Sequence, residues 1–423
     1  SDVCSSDLIT MNIPKTIITA LLTLSLTSCS SVPTALVSVV PPEKLVDEKT
    51  LELSREEGFI SDAFDEAYDD FTGRTSEKVL MKDGNVCYSP LSLWYALALA
   101  SEGASGETKT EIDSLLTGGR EIAETDPANL RLRLAALLGN YDQTTLRIAN
   151  SVWSASGLKE GYAKSAAEKY FSECYEVPSF DSSTAKKMSD WVSDKTKGTL
   201  KPDFDFGKGD LPEMIAILNT VYFGDEWTDK FEKSNNTDDV FHSPDGDITA
   251  TYMHRGNQGG WTTGDGWVKA SLGLKGSSMS FVLPTGEKTI RELLEENGLD
   301  ALLNGGEGHS GDITWSLPKF SYDTDLDFGE TLRSLGCGKM FTEDAEFQDM
   351  MDVAPLYISS VKGGTHIAVD EKGVTASAYT AILYCGAMLT TEKLDMKLDR
   401  PFLWTITVGG TVLFVGIVSN PAA

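Results

Sequence analysis

The sequence predicts an α+β fold in one domain, and three observations carry that reading. Segments with helical spacing of apolar residues crowd into the first half of the chain. Alternating or wholly apolar runs of strand character crowd into the second. There is no regular succession of strand and helix, as a parallel α/β sheet would require, and no internal repeat. The 423 residues are 41% hydrophobic and 24% charged, enough to bury a large core. Length alone allows one large domain or two ordinary ones; the clustering of elements favours one.

The first element is the stretch from Ser54 to Gly73, where Phe59, Ile60, Phe64, Ala67 and Phe71 fall at helical spacing. Ser89 starts the next helix with Pro90 just inside it, and a Gly/Ser turn ends it. Residues 146–156 alternate as a strand. Residues 166–180 read as a helix passing into a strand, and residues 185–200 as a helix stopped at Gly198. Met214 to Trp227 is a long apolar run bounded by charge, which predicts a strand buried on both faces. Residues 240–256, 266–276 and 278–286 carry hairpin strands with Pro and Gly turns. Residues 289–308 form a helix with a glycine-rich stop, and residues 312–336 a strand followed by a helix. The last strands, Leu403 to Val418, fold back at Gly409-Gly410.

The first fifty residues are set apart from this fold. Residues 1–10 precede a natural start at Met11 and read as an extension foreign to the protein. Lys15 then gives a short positive region, and Ile17 to Leu26 an apolar run too short for a stable membrane span. Leu26-Thr27-Ser28-Cys29 looks like a bacterial lipobox, with Cys29 the lipidated residue, so residues 11–28 read as a lipoprotein signal peptide. An ordinary signal peptide with an incidental cysteine is the alternative. Residues 29–50, rich in Ser, Pro and Val, read as a tether, and residues 51–423 as the folded domain. The protein is therefore expected to be exported, lipid-anchored to a bacterial cell envelope or extracellular. One acyl chain anchors weakly, so several would be needed.

A net charge of −28 excludes partners that need a basic face: nucleic acid, anionic membrane surfaces and heparin-like chains. Membrane contact is expected only through the lipid anchor. The six cysteines are widely spaced without a CxxC pair, which argues against a zinc site and against a dense disulfide framework. Cys87, Cys174 and Cys337 sit among apolar residues and are expected to be small buried side chains; one disulfide stays open.

Enzyme motifs are missing from the sequence. Its histidines, His242, His254, His309 and His366, form no HExxH, and neither a Walker loop nor a GxGxxG follows a strand. No pair of carboxylates lies within an apolar segment as a tuned acid would. No metal and no cofactor is expected. Gly308-His309-Ser310-Gly311-Asp312 has the glycine-flanked serine of some proteases without the strand–turn–helix context of a nucleophile elbow. It reads as a solvated turn, and a hydrolase using Ser310 and His309 is the alternative from another functional class.

The most informative segment is VDEKGVTASAYTA, Val369 to Ala381. It begins acidic, turns on Gly373, and continues through small and β-branched residues with no proline and no charge. It has the character of a strand in the place of a connecting loop. Around it, a series of blocks stands in a fixed order: NVCYSPLSLWYALALASEGASGETKTEI from Asn85 to Ile112, LRIANSVW from Leu146, MSDWVSDKTKGTL from Met188 and LNTVYFGDEW from Leu218. LPKF from Leu317, LYIS from Leu356, VDEKG from Val369, LDRPFLWTI from Leu398 and VSNP from Val418 complete the series. In these blocks the chain resembles the serpin family over about residues 52–421.

The resemblance implies a single-domain fold of helices packed on three β-sheets with an exposed reactive-centre loop. It implies no enzyme but a monomeric suicide-substrate inhibitor, which forms a covalent complex with target serine proteases. The loop is attacked as substrate, and its N-terminal part inserts as a new strand into sheet A before the acyl-enzyme hydrolyses. By the same resemblance the hinge is Glu371, Gly373, Val374, Ala376 and Ala378, and the shutter and breach are Ser89, Ser92, Asn219 and Trp227. Two positions depart from the family. Gly363 stands where a shutter histidine is common, with His366 in the wrong register to replace it. Val374 stands where inhibitory members commonly have Thr or Ser.

Alternation in a strand puts Val374, Ala376, Ala378, Thr380, Ile382 and Tyr384 on one face, which in family terms turns inward. The first of these are small or β-branched, with no charge to strand in the core. The bulky Tyr379 falls on the outward face. Counting the family's spacing forward from Glu371 puts the scissile bond at Ala387–Met388; counting back from Pro401 puts it near Thr390. Ala387, or Met388 and Leu389 beside it, suits elastase- or chymotrypsin-like pockets. No Arg lies between Glu371 and Asp399, which disfavours trypsin-like targets. The alternatives are a non-inhibitory binding or decoy protein of this fold, and a cross-class inhibitor of papain-like cysteine proteases.

Overall fold

The computed structural model describes residues 60–138, 145–204, 206, 215–352, 355–358, 360–374 and 392–423. The signal, lipidation and tether assignments, Cys29 included, lie outside the described residues, as do Ala376, Ala378, Ala387 and Met388.

Helix α1 (Asp62–Val79) is capped by Ser61, whose hydroxyl accepts from the Phe64 N–H. It runs on past Gly73, because Thr72, Thr75, Ser76 and Val79 continue its buried face. Strand β1 (Val86–Tyr88) leads into α2 (Pro90–Glu102), where Ser89 is the N-cap and Pro90 fills the first turn as expected. Gly103 ends α2, and a Cβ there would lie 2.6 Å from the Met350 side chain. Two helices follow that the sequence reading does not resolve, α3 (Gly106–Thr117) and α4 (Asp126–Leu138). The alternating segment forms β2 (Thr145–Ser154). The next two composite segments give α5 (Glu160–Tyr170), β3 (Ser172–Glu176) and α6 (Ser182–Lys195), the last ending just before Gly198 at φ 82°.

The apolar run forms β4 (Ile215–Glu226). Strands β5 (Thr237–Ser243), β6 (Gly246–Gly264), β7 (Trp267–Gly273) and β8 (Ser278–Pro284) form the expected hairpins. Helix α7 (Ile290–Asn304) has a complete capping box from Thr289 and Glu292. The one strand expected in residues 312–336 is two, β9 (Glu307–Pro318) and β10 (Phe320–Asp327), ahead of the short α8 (Gly329–Ser334). Pro318 closes the first ladder, and Phe320 opens a different one on β11 (Lys362–Val369). The chain continues with β12 (Gly373–Val374), β13 (Lys393–Lys397), β14 (Phe402–Val408) and β15 (Thr411–Val418).

The described strands form two hydrogen-bonded networks rather than three separate sheets. One has nine strands in the order β1-β15-β14-β8-β7-β6-β9-β13, with β5 on β6; the other has six, β10-β11-β12-β4-β2-β3. Two of the expected three sheets merge because the 19-residue β6 pairs with β5 and β9 along its length and with β7 over its last residues, Trp261 to Gly264. One continuous core joins helices α1 and α2 to both networks, with Trp94, Trp227, Trp315 and Trp404 fully buried. Cys87, Cys174 and Cys337 are free and buried in it, and desolvation pushes each thiol up to about 12. Among the described residues no helix is long and apolar enough to cross a membrane, and no cluster of His, Cys, Asp and Glu could hold a metal ion.

Candidate functional site

The six-stranded network is interrupted in its middle. Its central strand, β12, is only Gly373 and Val374. Val374 pairs with Val369 of β11 on one side and Asp225 of β4 on the other, antiparallel to both. Hence β4 and β11 run parallel to each other, separated by the width of one strand. Below Val374 no described ladder joins them.

The chain reaches this wedge through a tight turn. Asp370 accepts from the N–H groups of Lys372 and Gly373 at 2.8 and 3.3 Å, and its own N–H donates to the Gly373 carbonyl. Gly373 has φ 152°, and a Cβ on it would lie 2.3 Å from the Asp225 carbonyl oxygen and 2.5 Å from the Glu226 Cα. Only glycine fits. Val374 behind it is 2% exposed. The Asp225 side chain opposite is fully buried and accepts from the Gly276 N–H at 2.9 Å and the Ser277 hydroxyl at 2.6 Å.

Trp227 and Glu371 hold the turn in place. The Trp227 indole donates to the Asp370 carbonyl at 2.8 Å, its backbone N–H to the Lys372 carbonyl, and the Phe231 N–H to the Glu371 carbonyl. Both Glu371 carboxylate oxygens lie 3.0 Å from Lys319 Nζ, and one accepts from the Asn236 amide at 2.6 Å. Burial alone would raise the Glu371 carboxyl; its own backbone N–H, Lys319 and Asn236 outweigh that and hold it below the usual carboxylate range. Lys319 lies in the LPKF block, but nothing in the sequence ties it to a glutamate so distant along the chain. Asp225 lies in the LNTVYFGDEW block without any sign of its partners, and Asn236 carries no sequence signal at all.

Beneath the wedge the gap between β4 and β11 holds a cavity of about 160 Å³, walled mainly by apolar side chains such as Leu93, Leu97, Ile217, Phe347 and Leu356. A smaller one, about 20 Å³, lies directly under Val374, Ile367 and Phe223. Ser89, Ser92 and Asn219 all line the larger cavity. Ser89 caps α2 by accepting from the Ser92 N–H, while the Asn219 amide donates to Asn150 on β2. The Asn219 Oδ1, buried at the gap, has no partner among the described residues. Gly363 lines the cavity too, and a Cβ there would meet the Phe328 ring at 2.8 Å. Phe328 thus fills the space a larger residue at position 363 would need. His366 faces the other way and bonds Asp323 on β10 at 2.6 Å.

The Gly308–Asp312 motif is not the expected solvated turn. It is part of β9, paired with Thr262 to Gln258 of β6. His309 bonds Thr263 and Glu392, not Ser310.

A family model described as Serpin (serine protease inhibitor) matches residues 66–421. An uncharacterised serpin-like protein of Thermococcus kodakarensis is 28% identical over 84% of this chain and 85% of its own length. Plasminogen activator inhibitor 1 of Bos taurus is 29% identical over 80% and 88%. Among solved structures, the thermophilic serpin tengpin in its native state superposes with a TM-score of 0.70 at 25% identity, covering 91% of this chain and all of that one.

Two outcomes follow from the hinge geometry. Gly373→Ala is expected to expel β12 from the sheet at a cost of roughly 1–3 kcal/mol. Hydrogen exchange checks it: the Val374 amide should lose protection while β2, β4 and β15 keep theirs. The second concerns pH. A carboxylate whose pKa is depressed in the folded state adds stability above its unfolded pKa and loses it as the pH falls through the folded value. The hinge should therefore begin to loosen as the pH falls below the ordinary glutamate range and let go as it passes through the lower folded value. Lys319→Met should raise that threshold, again read at Val374.

Proposed function

This chain belongs to the serpin family, and from that premise we propose that it is a suicide-substrate inhibitor of serine endopeptidases of the elastase or chymotrypsin kind. The observation that carries the reading is the wedge of Gly373 and Val374 between two parallel strands with an apolar gap beneath it. A strand entering from the hinge is antiparallel to both neighbours and can bond to both.

Continuing the observed register supports the fit. Ala376 falls between Phe223 and Ile367, and Ala378 between Val221 and Thr365, all buried positions. The inward row is thus small where the core is already filled. Tyr379 falls beside Gly364, which is exposed and has open space above its Cα. Thr380 falls beside Asn219, whose Oδ1 lacks a partner, and Gly363. A protease serine that attacks the Ala387–Met388 bond would hold residues up to Ala387 as an ester while the amine side leaves. Insertion of the freed strand then carries the ester away before water cleaves it. Ala387 favours an elastase-like pocket, and Met388 or Leu389 a chymotrypsin-like one.

The second reading, a non-inhibitory binding or decoy protein of the same fold, rests on the shutter. Asn219 turns its amide to Asn150, and Phe328 occupies the space at Gly363. Incubation with pancreatic or neutrophil elastase separates the two. The inhibitor gives an SDS-stable complex ending at Ala387 by mass spectrometry, and loop cleavage raises Tm by many degrees. Clean turnover with an unchanged Tm supports the decoy, and a stable complex only with papain-like enzymes supports the cross-class reading.

The proposal extends to location: export, with Cys29 lipidated and residues 29–50 as the tether. Full-length protein expressed in a bacterium should then sediment with membranes, and a Cys29→Ser variant should move to the soluble fraction.

A further inference from the structure

The larger cavity presents one buried acceptor, and a relay of amides fixes which atom it is. The Asn150 side-chain nitrogen, on β2, donates to the Tyr170 carbonyl at 2.7 Å. A carbonyl only accepts, so the Asn150 oxygen is turned to Asn219 and accepts from its amide nitrogen. The atom left at the cavity is therefore Asn219 Oδ1, with no partner among the described residues. A buried acceptor left unmet costs free energy, which a donor brought in from outside would recover. Ser89 and Ser92 line the same cavity. The Ser89 oxygen accepts from the Ser92 N–H at 3.1 Å, so its own proton remains to be donated. The other walls are mainly apolar. Phe204, Phe347 and Phe414 line them, with the thioethers of Met188 and Met350. Phenyl rings and thioether sulfurs both make favourable contacts with the edge or face of a further ring.

We propose that this cavity is a binding site for a small neutral aromatic molecule carrying one hydroxyl, a phenol, whose O–H donates to Asn219 Oδ1. Size sets the class. The volume of about 160 Å³ is close to the roughly 150 Å³ of an engineered cavity, lined by Leu, Ile and Phe, that takes up benzene. Charge narrows it. A carboxylate would set its negative charge against the Asn219 oxygen, and a cation would meet Lys362, which lines the cavity and is exposed. Hydrogen bonding completes it. A bare hydrocarbon ring would leave the Asn219 oxygen unmet, whereas a phenol donates to it and offers its own oxygen to Ser89. A few placed polar groups in a mostly apolar hollow are the usual make-up of a small-molecule site. Neither Gly373 nor Val374 lines the cavity, so the hinge keeps its place when a ring is bound. Binding of this kind needs only the uncut chain and holds whether or not the reactive segment inserts.

Calorimetric titration of the full, uncut chain with phenol and with benzene tests the site. Phenol should bind saturably with a Kd on the order of 0.1–1 mM, and benzene roughly five- to fiftyfold more weakly. Asn219→Leu should bring the two ligands to the same affinity. Ala96→Phe, which projects a ring from the α2 wall of the cavity, should abolish binding of both. Tm and hydrogen exchange in β2 and β4 show whether each variant is folded. Should Asn219→Leu fail to fold, the ratio of phenol to benzene affinity in wild type and the Ala96→Phe variant decide. Absence of saturable phenol binding by wild type overturns the site, and so does equal affinity for phenol and benzene. A folded Ala96→Phe that binds phenol as wild type does, or a folded Asn219→Leu that keeps the preference, puts the ligand elsewhere and overturns it too. None of these outcomes involves a protease, so a chain that elastase merely turns over still binds phenol if the site is right.

Discussion

Between β4 and β11 the six-stranded sheet carries two inner edges whose only described strand partner is the pair Gly373 and Val374. A sheet edge is a row of unpaired N–H and C=O groups, ready for another strand. Here the two edges face each other across the molecule's middle, above an apolar cavity that side chains of α2, β4 and the segment around Leu356 leave open. The rest of the site is organised around keeping that gap as it is. On the insertion reading the filled gap has the lower free energy, since one strand satisfies both edges, and the open sheet persists by a barrier.

The barrier has a physical location. At the top, the wedge is fixed by a turn whose parts depend on one another. Asp370 shapes it, Trp227 bonds its carbonyls, and Lys319 and Asn236 hold Glu371. Gly373 lies so close to Asp225 and Glu226 that no other residue could take its place. Asp225 in turn is fixed by Gly276 and Ser277, so the contact surface for the wedge is rigid. A hinge so tightly bound is a defined starting register, and register decides which face of a strand is buried.

Much of this was legible in the sequence, for reasons that differ between elements. The Ser89-Pro90 start of α2 and the Gly409-Gly410 hairpin follow local rules, and the structure agrees; β4 is buried as expected from Thr220 to Glu226 and only half-buried from Ile215 to Asn219. The serpin fold itself was read from ordered blocks. Helix α3 is hidden by the Gly/Ser turn before it, which reads as an end, and α4 lies in a stretch the sequence reading passes over although Thr125-Asp126-Pro127 has the residues of a helix start. The split of β9 from β10 depends on Lys319 passing between two sheets, which no local pattern reveals. The same holds for the site. The hinge lies in one short segment, so it can be read from sequence. Lys319, Asn236, Phe328 and Asp225 are brought to it from four other elements or loops. His309 was misread as part of a turn because its glycine neighbours suit a turn. In the fold Gly311 lets the chain at Glu392 approach closely, while Gly308 faces open space.

The two departures from the family pattern, Val374 and Gly363, share one physical consequence. Position 374 is almost wholly buried between Val369 and Asp225, and a valine there has no hydroxyl to desolvate. At position 363 the Phe328 ring, packed also on Tyr88 at 6.0 Å, takes the place of a polar side chain. Both changes replace a directional polar contact along the gap by apolar packing. Packing of this kind has no fixed partner to lose when a strand enters, so it resists opening less specifically than a hydrogen-bond network does. The polar cost of the exchange is the Asn219 oxygen left without a partner. It stands at the register position beside Gly363, where an entering strand would bring the Thr380 hydroxyl. On the insertion reading, what the open sheet lacks at that point is the group that the reactive segment would supply.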